Sequence, residues 1–253
     1  MLLRWFEHSQ VYHPSLEVNA IGPEAAGAYE NVFFKTSDGV ELNGWYFAPP
    51  ARSLRGDFVV LICHGNGGNI GDRAQLYRAW HRTGVAIFAF DYRGYGRSQG
   101  RPGEEGTYQD AQAAQRWLAK KNFSRILVHG ESLGGGIATE LCLREKTGGL
   151  ILQSTFTSIA EIGAEMFPWL PVRRLAKIKY DTQSKLPRLK IPVLVMHSRA
   201  DELAPFRQAE KNFAAANEPK LFWELSGGHN EALEDGPLFV EGLESFLRLI
   251  ESR

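Results

Sequence analysis

An α/β fold, with helices on both faces of a mostly parallel sheet of eight strands, is predicted by three observations. Apolar runs of strand length recur eight times from residue 29 to residue 225. Stretches with helical periodicity separate the later runs. Several of the inner runs are apolar almost without a break, the pattern of strands covered on both faces in a parallel sheet.

The elements follow in order. Residues 29–36 and 40–48 read as strands around Ser37-Asp38-Gly39, whose Asp-Gly pair marks a tight hairpin. Phe58-Val59-Val60-Leu61-Ile62-Cys63 is the first near-continuous apolar run, repeated at 85–90, 125–128 and 191–196, with shorter or more mixed versions at 150–152 and 220–225. Helices are predicted at 73–82, 107–121, 132–146, 205–216 and 237–251. In the last, Phe239, Leu243, Phe246 and Ile250 make one stripe, and Pro237 suits a first turn.

One connection is oversized. Residues 154–190 number 37, whereas a crossover with its helix needs about 12 to 20. The surplus holds Phe156, Met166, Phe167, Trp169 and Leu170, too much apolar surface to leave in water. Residues 155–185 are therefore read as a small cap, and those five side chains as an apolar substrate-binding wall. Residues 1–28 precede the sheet and read as an extension packed on the domain (residues 29–253) through Phe6, Val11, Tyr12 and Leu16.

Composition narrows the function classes. With 253 residues, 43% hydrophobic and 23% charged, the chain can bury roughly 70 to 75% of its unfolded surface without a staple. The 29 basic and 29 acidic side chains cancel, so nucleic acid is not an expected partner. Cys63 and Cys142 lie in neither a CxxC nor a Cys/His ligand spacing, so no metal or disulfide is expected. The apolar run from Met1 to Phe6 breaks at Glu7 and His8, short of a signal-peptide core, and no window reaches a membrane span. A cytoplasmic monomer without an integral membrane segment is the expectation.

Gly130-Glu131-Ser132-Leu133-Gly134 is a G-x-S-x-G pentapeptide placed where a predicted strand ends and a helix begins. Its glycines remove side chains that would collide in a tight turn, leaving the Ser132 hydroxyl projecting. A serine needs a base and an orienting acid before it is nucleophilic. Among seven histidines, His8 and His13 precede the sheet, His81 lies in a polar helix, and His64, His129 and His197 sit at strand ends where structural roles are expected. His229, in Ser226-Gly227-Gly228-His229-Asn230 after the last strand, is the candidate base, because loops at the carboxyl ends of strands carry the ligands of open α/β sheets. Asp201, in the loop after the 191–196 run, is the candidate acid. Its competitors are the cap glutamates Glu161 and Glu165, while Asp181 reads as a helix cap or turn and Glu202, next to Asp201, is expected to point elsewhere. His64-Gly65-Asn66-Gly67-Gly68-Asn69 departs from G-x-G-x-x-G at Ile70, so it is read as an oxyanion loop offering the Asn66 N–H, with the Leu133 N–H as second donor.

HGN, then GxSxG, then acid and histidine in the order Ser132, Asp201, His229 resemble the α/β-hydrolase superfamily from about residue 30 onward. Asp91-Tyr92-Arg93-Gly94-Tyr95-Gly96-Arg97-Ser98 resembles a turn after the fourth strand whose role there is mainly structural. HGNGGN with GESLGG is similar to the branch of small-cap esterases and acyl-protein thioesterases; Ser198 departs from the glycine common before the acid. The resemblance implies a carboxylesterase that hydrolyses small-molecule esters of short to medium acyl chains through an acyl-enzyme on Ser132, with no cofactor. The alternatives are a thioesterase or depalmitoylase using the same residues, and a non-catalytic binding protein on the same fold.

Overall fold

The computed structural model describes residues 2–19, 26–231 and 236–252. Eight strands form one sheet: β1 (Tyr29–Lys35), β2 (Glu41–Phe47), β3 (Phe58–Cys63), β4 (Ala86–Phe90), β5 (Arg125–Glu131), β6 (Gly149–Gln153), β7 (Val193–Ser198) and β8 (Lys220–Leu225). Their order across the sheet is β8-β7-β6-β5-β3-β4-β2-β1. β1 and β2 pair antiparallel, as do β2 and β4, and every other neighbour is parallel. The helices are α1 (Leu2–Val11), α2 (Ala74–Arg82), α3 (Glu104–Leu118), α4 (Leu133–Arg144), α5 (Ile159–Met166), α6 (Val172–Leu175), α7 (Phe206–Ala215) and α8 (Pro237–Glu251).

The unbroken apolar strands have a direct explanation. Successive side chains of a strand point to opposite faces, so Val59, Leu61 and Cys63 enter one core with Ile137 and Leu141 of α4, while Phe58, Val60 and Ile62 enter the other with Trp80 of α2 and Phe246 of α8. The stripe Phe239, Leu243, Phe246 and Ile250 is wholly buried in the second core. Both cysteines are buried, unpaired thiols.

Register brings five strand ends to one edge. Cys63 lies opposite Gly130, Glu131 opposite Gln153, Gln153 opposite Met196, and Ser198 opposite Leu225. The loops after β3, β5, β7 and β8 therefore leave the sheet side by side. β3 and β5 are neighbours although β4 intervenes in sequence, and such a switch in strand order is where open α/β sheets leave a crevice.

Several boundaries differ from those the sequence predicts. β5 continues through His129, Gly130 and Glu131 because β3 pairs with it as far as Gly130 and β6 as far as Glu131. α3 begins three residues before the predicted 107, after the extended Gly103, with Glu104 and Glu105 in its first turn, where negative charge suits the helix dipole. The segment 2–11 is a helix that the short apolar run did not reveal. It is tied to the cap by Glu7, whose carboxylate accepts the backbone N–H groups of Lys177 (2.7 Å) and Ile178 (2.9 Å). Beyond it Val11 and Tyr12 are buried, and the Tyr12 hydroxyl meets that of Tyr180 at 2.9 Å. Leu16, expected to pack with them, is exposed instead, because here the backbone, not the side chain, attaches the chain to the domain. Residues 20–25 of the predicted extension lie outside the described residues.

The second core carries a stability prediction. Phe246 is fully buried against Gly149 of β6, so Phe246→Ala should lower unfolding free energy by about 3–5 kcal/mol. Urea denaturation followed by circular dichroism checks this, with exposed Leu238→Ala changing the midpoint little.

Candidate active site

The turn from β5 into α4 is governed by close backbone packing. A Cβ on Gly134 would collide with the carbonyl oxygen of Cys63, and one on Gly130 would lie 2.5 Å from the carbonyl oxygen of Gly134. Glycine at both positions lets the first turn of α4 rest on the end of β3. Ser132, between them, is held at φ +50°, a left-handed conformation that costs a non-glycine residue on the order of 1–3 kcal/mol. Three bonds hold it there: the Ser132 N–H donates to the Gln153 carbonyl (2.9 Å), and the Ser132 carbonyl accepts from the Thr155 hydroxyl (2.6 Å) and the Gly135 N–H (3.0 Å).

The Ser132 Oγ lies 3.1 Å from Nε2 of His229, whose Nδ1 lies 2.8 Å from Oδ2 and 2.9 Å from Oδ1 of Asp201. With the carboxylate ionised, Nδ1 donates to it and Nε2 accepts from the serine. Asp201 is fixed in turn by the backbone N–H groups of Leu203 (3.0 Å) and Ala204 (2.7 Å). Burial alone would raise the Asp201 pKa, but the His229 hydrogen bond and the Ala204 N–H hold it below the ordinary carboxylate value. Burial alone would likewise lower the His229 pKa. The bond and charge of Asp201, with the charges of Glu131 and Glu202, outweigh it, so His229 titrates above its ordinary 6.5.

The competing acids are engaged elsewhere. Glu161 pairs with Arg173 at 2.7 Å, Glu165 with Arg207 at 2.9 Å, and Asp181 accepts the Ser184 hydroxyl at 2.7 Å. So are the strand-end histidines. His129 is buried between the Trp80 indole N–H (2.9 Å) and Gln153 (2.8 Å), and desolvation pushes its pKa down to about 4. His197 contacts the Ala204 carbonyl at 2.6 Å, and His64 the Gly65 carbonyl at 2.7 Å.

The loop of Asn66 leaves β3 beside the start of α4, since Gly134 packs on the carbonyls of Cys63 and His64. Its shape is set from outside. Tyr92 donates to the His64 carbonyl (2.8 Å), Tyr95 to the Asn66 carbonyl (2.9 Å), and Asp91 accepts the Ile70 N–H (2.9 Å). The turn after β4 thus works as a frame for this loop. His13–Pro14 adds a short parallel pairing with Gly67–Gly68, and the His13 N–H reaches the Asn66 carbonyl at 3.0 Å. Leu133 is buried at the first position of α4, where backbone N–H groups have no helical acceptor.

The sequence reading gives no role to Arg73 or Glu131 and expects Glu202 to point elsewhere, but all three brace the site. Arg73 donates from Nε to Glu131 (2.8 Å) and from Nη2 to the Gly67 carbonyl (2.9 Å), clamping the Asn66 loop to the residue before Ser132. Glu202 accepts the backbone N–H of His229 at 3.0 Å and so pins the histidine loop. A charged residue at Glu131, at the carboxyl end of β5 and next to Ser132, was the one available signal.

Of the five cap side chains expected to form a wall, two line a groove. Phe167 and Leu170 face Leu3, Phe6, Gln10 and Val11 of α1 across an apolar cleft of about 530 Å³, open in part to solvent. Phe156 lies in the core instead, its carbonyl accepting from Asn212 at 3.2 Å, while Met166 and Trp169 are exposed at the end of α5 and in the turn beyond it. Sequence distance from Ser132 gave no means to foresee that α1 would supply the opposite wall. Ser132 is not part of this lining, and its links to the groove run through the chain. Ile159 follows Thr155 by four residues, and Val11 precedes His13 by two.

A mostly parallel eight-stranded sheet with a serine on a strand-turn-helix elbow at its switch point defines an α/β hydrolase. Residues 56–180 match the family described as serine aminopeptidase, S33. A protein of Mycobacterium tuberculosis is 39% identical over 242 residues, covering 94% of this chain and 85% of its own. The Arabidopsis thaliana α/β hydrolase domain-containing protein WAV2 is 31% identical over 222 residues, 79% of this chain and 71% of that one. The chain belongs to the α/β-hydrolase family. The Pyrococcus furiosus esterase Pf2001 superposes with a TM-score of 0.73 at 19% identity, covering 96% of this chain and 97% of that one, a likeness of fold.

Charge around His229 generates a titration prediction. Glu202 and Asp201 both favour the imidazolium, so Glu202→Gln should lower the His229 pKa and Asp201→Asn should lower it further. Histidine NMR titration reads both; an unchanged His229 in Asp201→Asn would contradict the electrostatics described.

Proposed function

We propose that the protein is a serine esterase that hydrolyses carboxylic esters of short to medium acyl chains. The observation that carries this reading is the unbroken hydrogen-bonded line from Asp201 through His229 to Ser132. His229 Nε2 takes the Ser132 proton as Oγ attacks the ester carbonyl carbon, and the oxyanion forms against the Asn66 and Leu133 N–H groups. Collapse of the tetrahedral species breaks the bond to the alcohol, which leaves with the proton from His229. Water then repeats the cycle on the acyl-serine and restores Ser132. Asp201 keeps the Nδ1–H tautomer and stabilises the imidazolium throughout. In this reading the groove between α1 and the cap takes the acyl chain.

An aminopeptidase reading is less supported, because the cap acids Glu161 and Glu165 are paired with arginines instead of being free to hold an amino terminus.

Ser132→Ala and His229→Ala should each lower p-nitrophenyl ester hydrolysis by about a thousandfold or more, and the double variant should be little worse, since the residues act as a unit. Additive losses, or failure of a fluorophosphonate probe to label Ser132, would end the assignment. The rate should rise with pH through the raised His229 pKa, because only the neutral imidazole accepts the proton.

A panel of oxygen and thiol esters tests the rest. Specificity should climb a fewfold per carbon, as about 0.8 kcal/mol per buried methylene implies, and then flatten. Phe167→Ala should move the turning point while sparing the shortest esters. Continued rise to the longest chains, or a preference for thiol esters, would favour a lipase or a depalmitoylating thioesterase.

A further inference from the structure

The two N–H groups assigned to the oxyanion come from segments far apart in sequence. That of Asn66 belongs to the loop after β3, and that of Leu133 to the first turn of α4. One oxyanion can accept from both only if each nitrogen lies about 2.7–3.1 Å from it, and a misplacement of about 1 Å can cost on the order of 10²-fold in rate. The spacing between the segments therefore has to be held.

Most contacts of the loop set its shape without reaching Leu133. Tyr95 and the His13 N–H meet the Asn66 carbonyl, and His64 Nδ1 meets the Gly65 carbonyl. The seat of Gly134 on the Cys63 and His64 carbonyls stops short of Asn66. The pair of Arg73 and Glu131 spans the gap. Glu131 ends β5, two residues before Leu133. Its Oε2 accepts from Arg73 Nε at 2.8 Å, while Arg73 Nη2 donates to the Gly67 carbonyl at 2.9 Å. A Cβ on Gly65 would lie 3.0 Å from Glu131 Oε1 and 3.7 Å from Arg73 Nη2, so the pair also packs against the residue on the other side of Asn66. Asn66 is gripped through both of its chain neighbours, and the carboxylate in that grip belongs to the turn that carries Leu133.

This is not an ordinary surface ion pair. The side chains of Arg73 and Glu131 are 13% and 17% exposed, whereas Arg173, paired with Glu161, is 63% exposed, so water screens the inner pair far less. Arg73 immediately precedes α2, whose Leu76, Tyr77, Ala79 and Trp80 are buried, and its guanidinium thus reaches out from an anchored element. The planar fork offers donors in two directions at fixed geometry, which an ammonium does not.

We propose that Arg73 is a positioning residue for ester hydrolysis: with Glu131 it sets the spacing between the two N–H donors that receive the oxyanion. The inference rests on the esterase reading given above. Because the oxyanion exists only once Ser132 has attacked, a loosened spacing raises the barrier without weakening the binding of the ester.

The test is steady-state kinetics on a short p-nitrophenyl ester together with inhibition by phenylboronic acid, whose tetrahedral adduct on Ser132 places a hydroxyl where the oxyanion forms. Arg73→Met should lower kcat about 10- to 100-fold with KM within about threefold, and should weaken phenylboronic acid by a similar factor. Arg73→Lys, which keeps the charge but not the fork, should recover little of the rate. Arg73→Met also leaves a shielded carboxylate unpaired, so its melting temperature should fall, whereas Arg73→Met/Glu131→Gln should regain stability but not rate. If Arg73→Met does not fold, the double variant carries the same test. A double variant that regains both stability and rate, or a loss confined to KM, makes the pair a structural prop and overturns the proposal. Unchanged kinetics in Arg73→Met overturns it as well, and the esterase reading survives that result as long as Ser132→Ala is inactive. Near-normal turnover by Ser132→Ala would overturn the esterase reading itself, and this inference with it.

Discussion

The first turn of α4 rests on the carboxyl end of β3 with no room for a side chain between them, and the arrangement around Ser132 depends on that contact. Gly134 makes the approach possible, since any Cβ there would strike the Cys63 carbonyl. Once the helix is seated, Ser132 has no choice but a left-handed backbone, and its hydroxyl projects from the sheet edge. The same contact fixes where the chain leaves β3, and so brings the Asn66 loop beside the helix start. Steric exclusion here does the work that a ligand or a crosslink does in smaller folds.

Around that contact a second shell of hydrogen bonds resists relaxation. The strained turn is paid for by an otherwise regular sheet, whose ladder continues through the Ser132 N–H to Gln153 and the Ser154 N–H to Met196. Tyr92, Tyr95 and Asp91 frame the Asn66 loop from the turn after β4, and Arg73 ties it to Glu131. Charges that would be costly alone are placed in pairs: Glu131 with Arg73, Asp201 with His229. Although burial disfavours ionisation of Glu131, the Arg73 guanidinium and the surrounding histidines keep its pKa low. The negative field that results is one source of the raised His229 pKa.

The N-terminal helix joins the fold from outside the sheet but reaches both the Asn66 loop and the groove beside the cap. Its last residues run into the His13–Pro14 pairing with the Asn66 loop, and its apolar side closes the groove against Phe167 and Leu170. One segment therefore touches both the loop beside Ser132 and the groove.

The residue pattern by itself determined the sheet, its order of β-α units and the three side chains that meet at its edge, because alternation, apolar runs and the spacing of glycines are local consequences of strand and turn geometry. His229 and Asp201 were legible because each follows a strand and loops at one end of a parallel sheet converge. What only the tertiary structure decided is the company those residues keep. The clamp from Arg73 to Glu131, the grip of Glu202 on the His229 loop, and the pairing of α1 with Phe167 join positions between 27 and 161 residues apart. A helical stripe shows that a side chain will be covered but not by what, so Met166 and Trp169 read as wall residues although they face solvent, and Phe156 although it lies in the core. Contacts of that kind are set by how whole elements stack, and no local spacing encodes them.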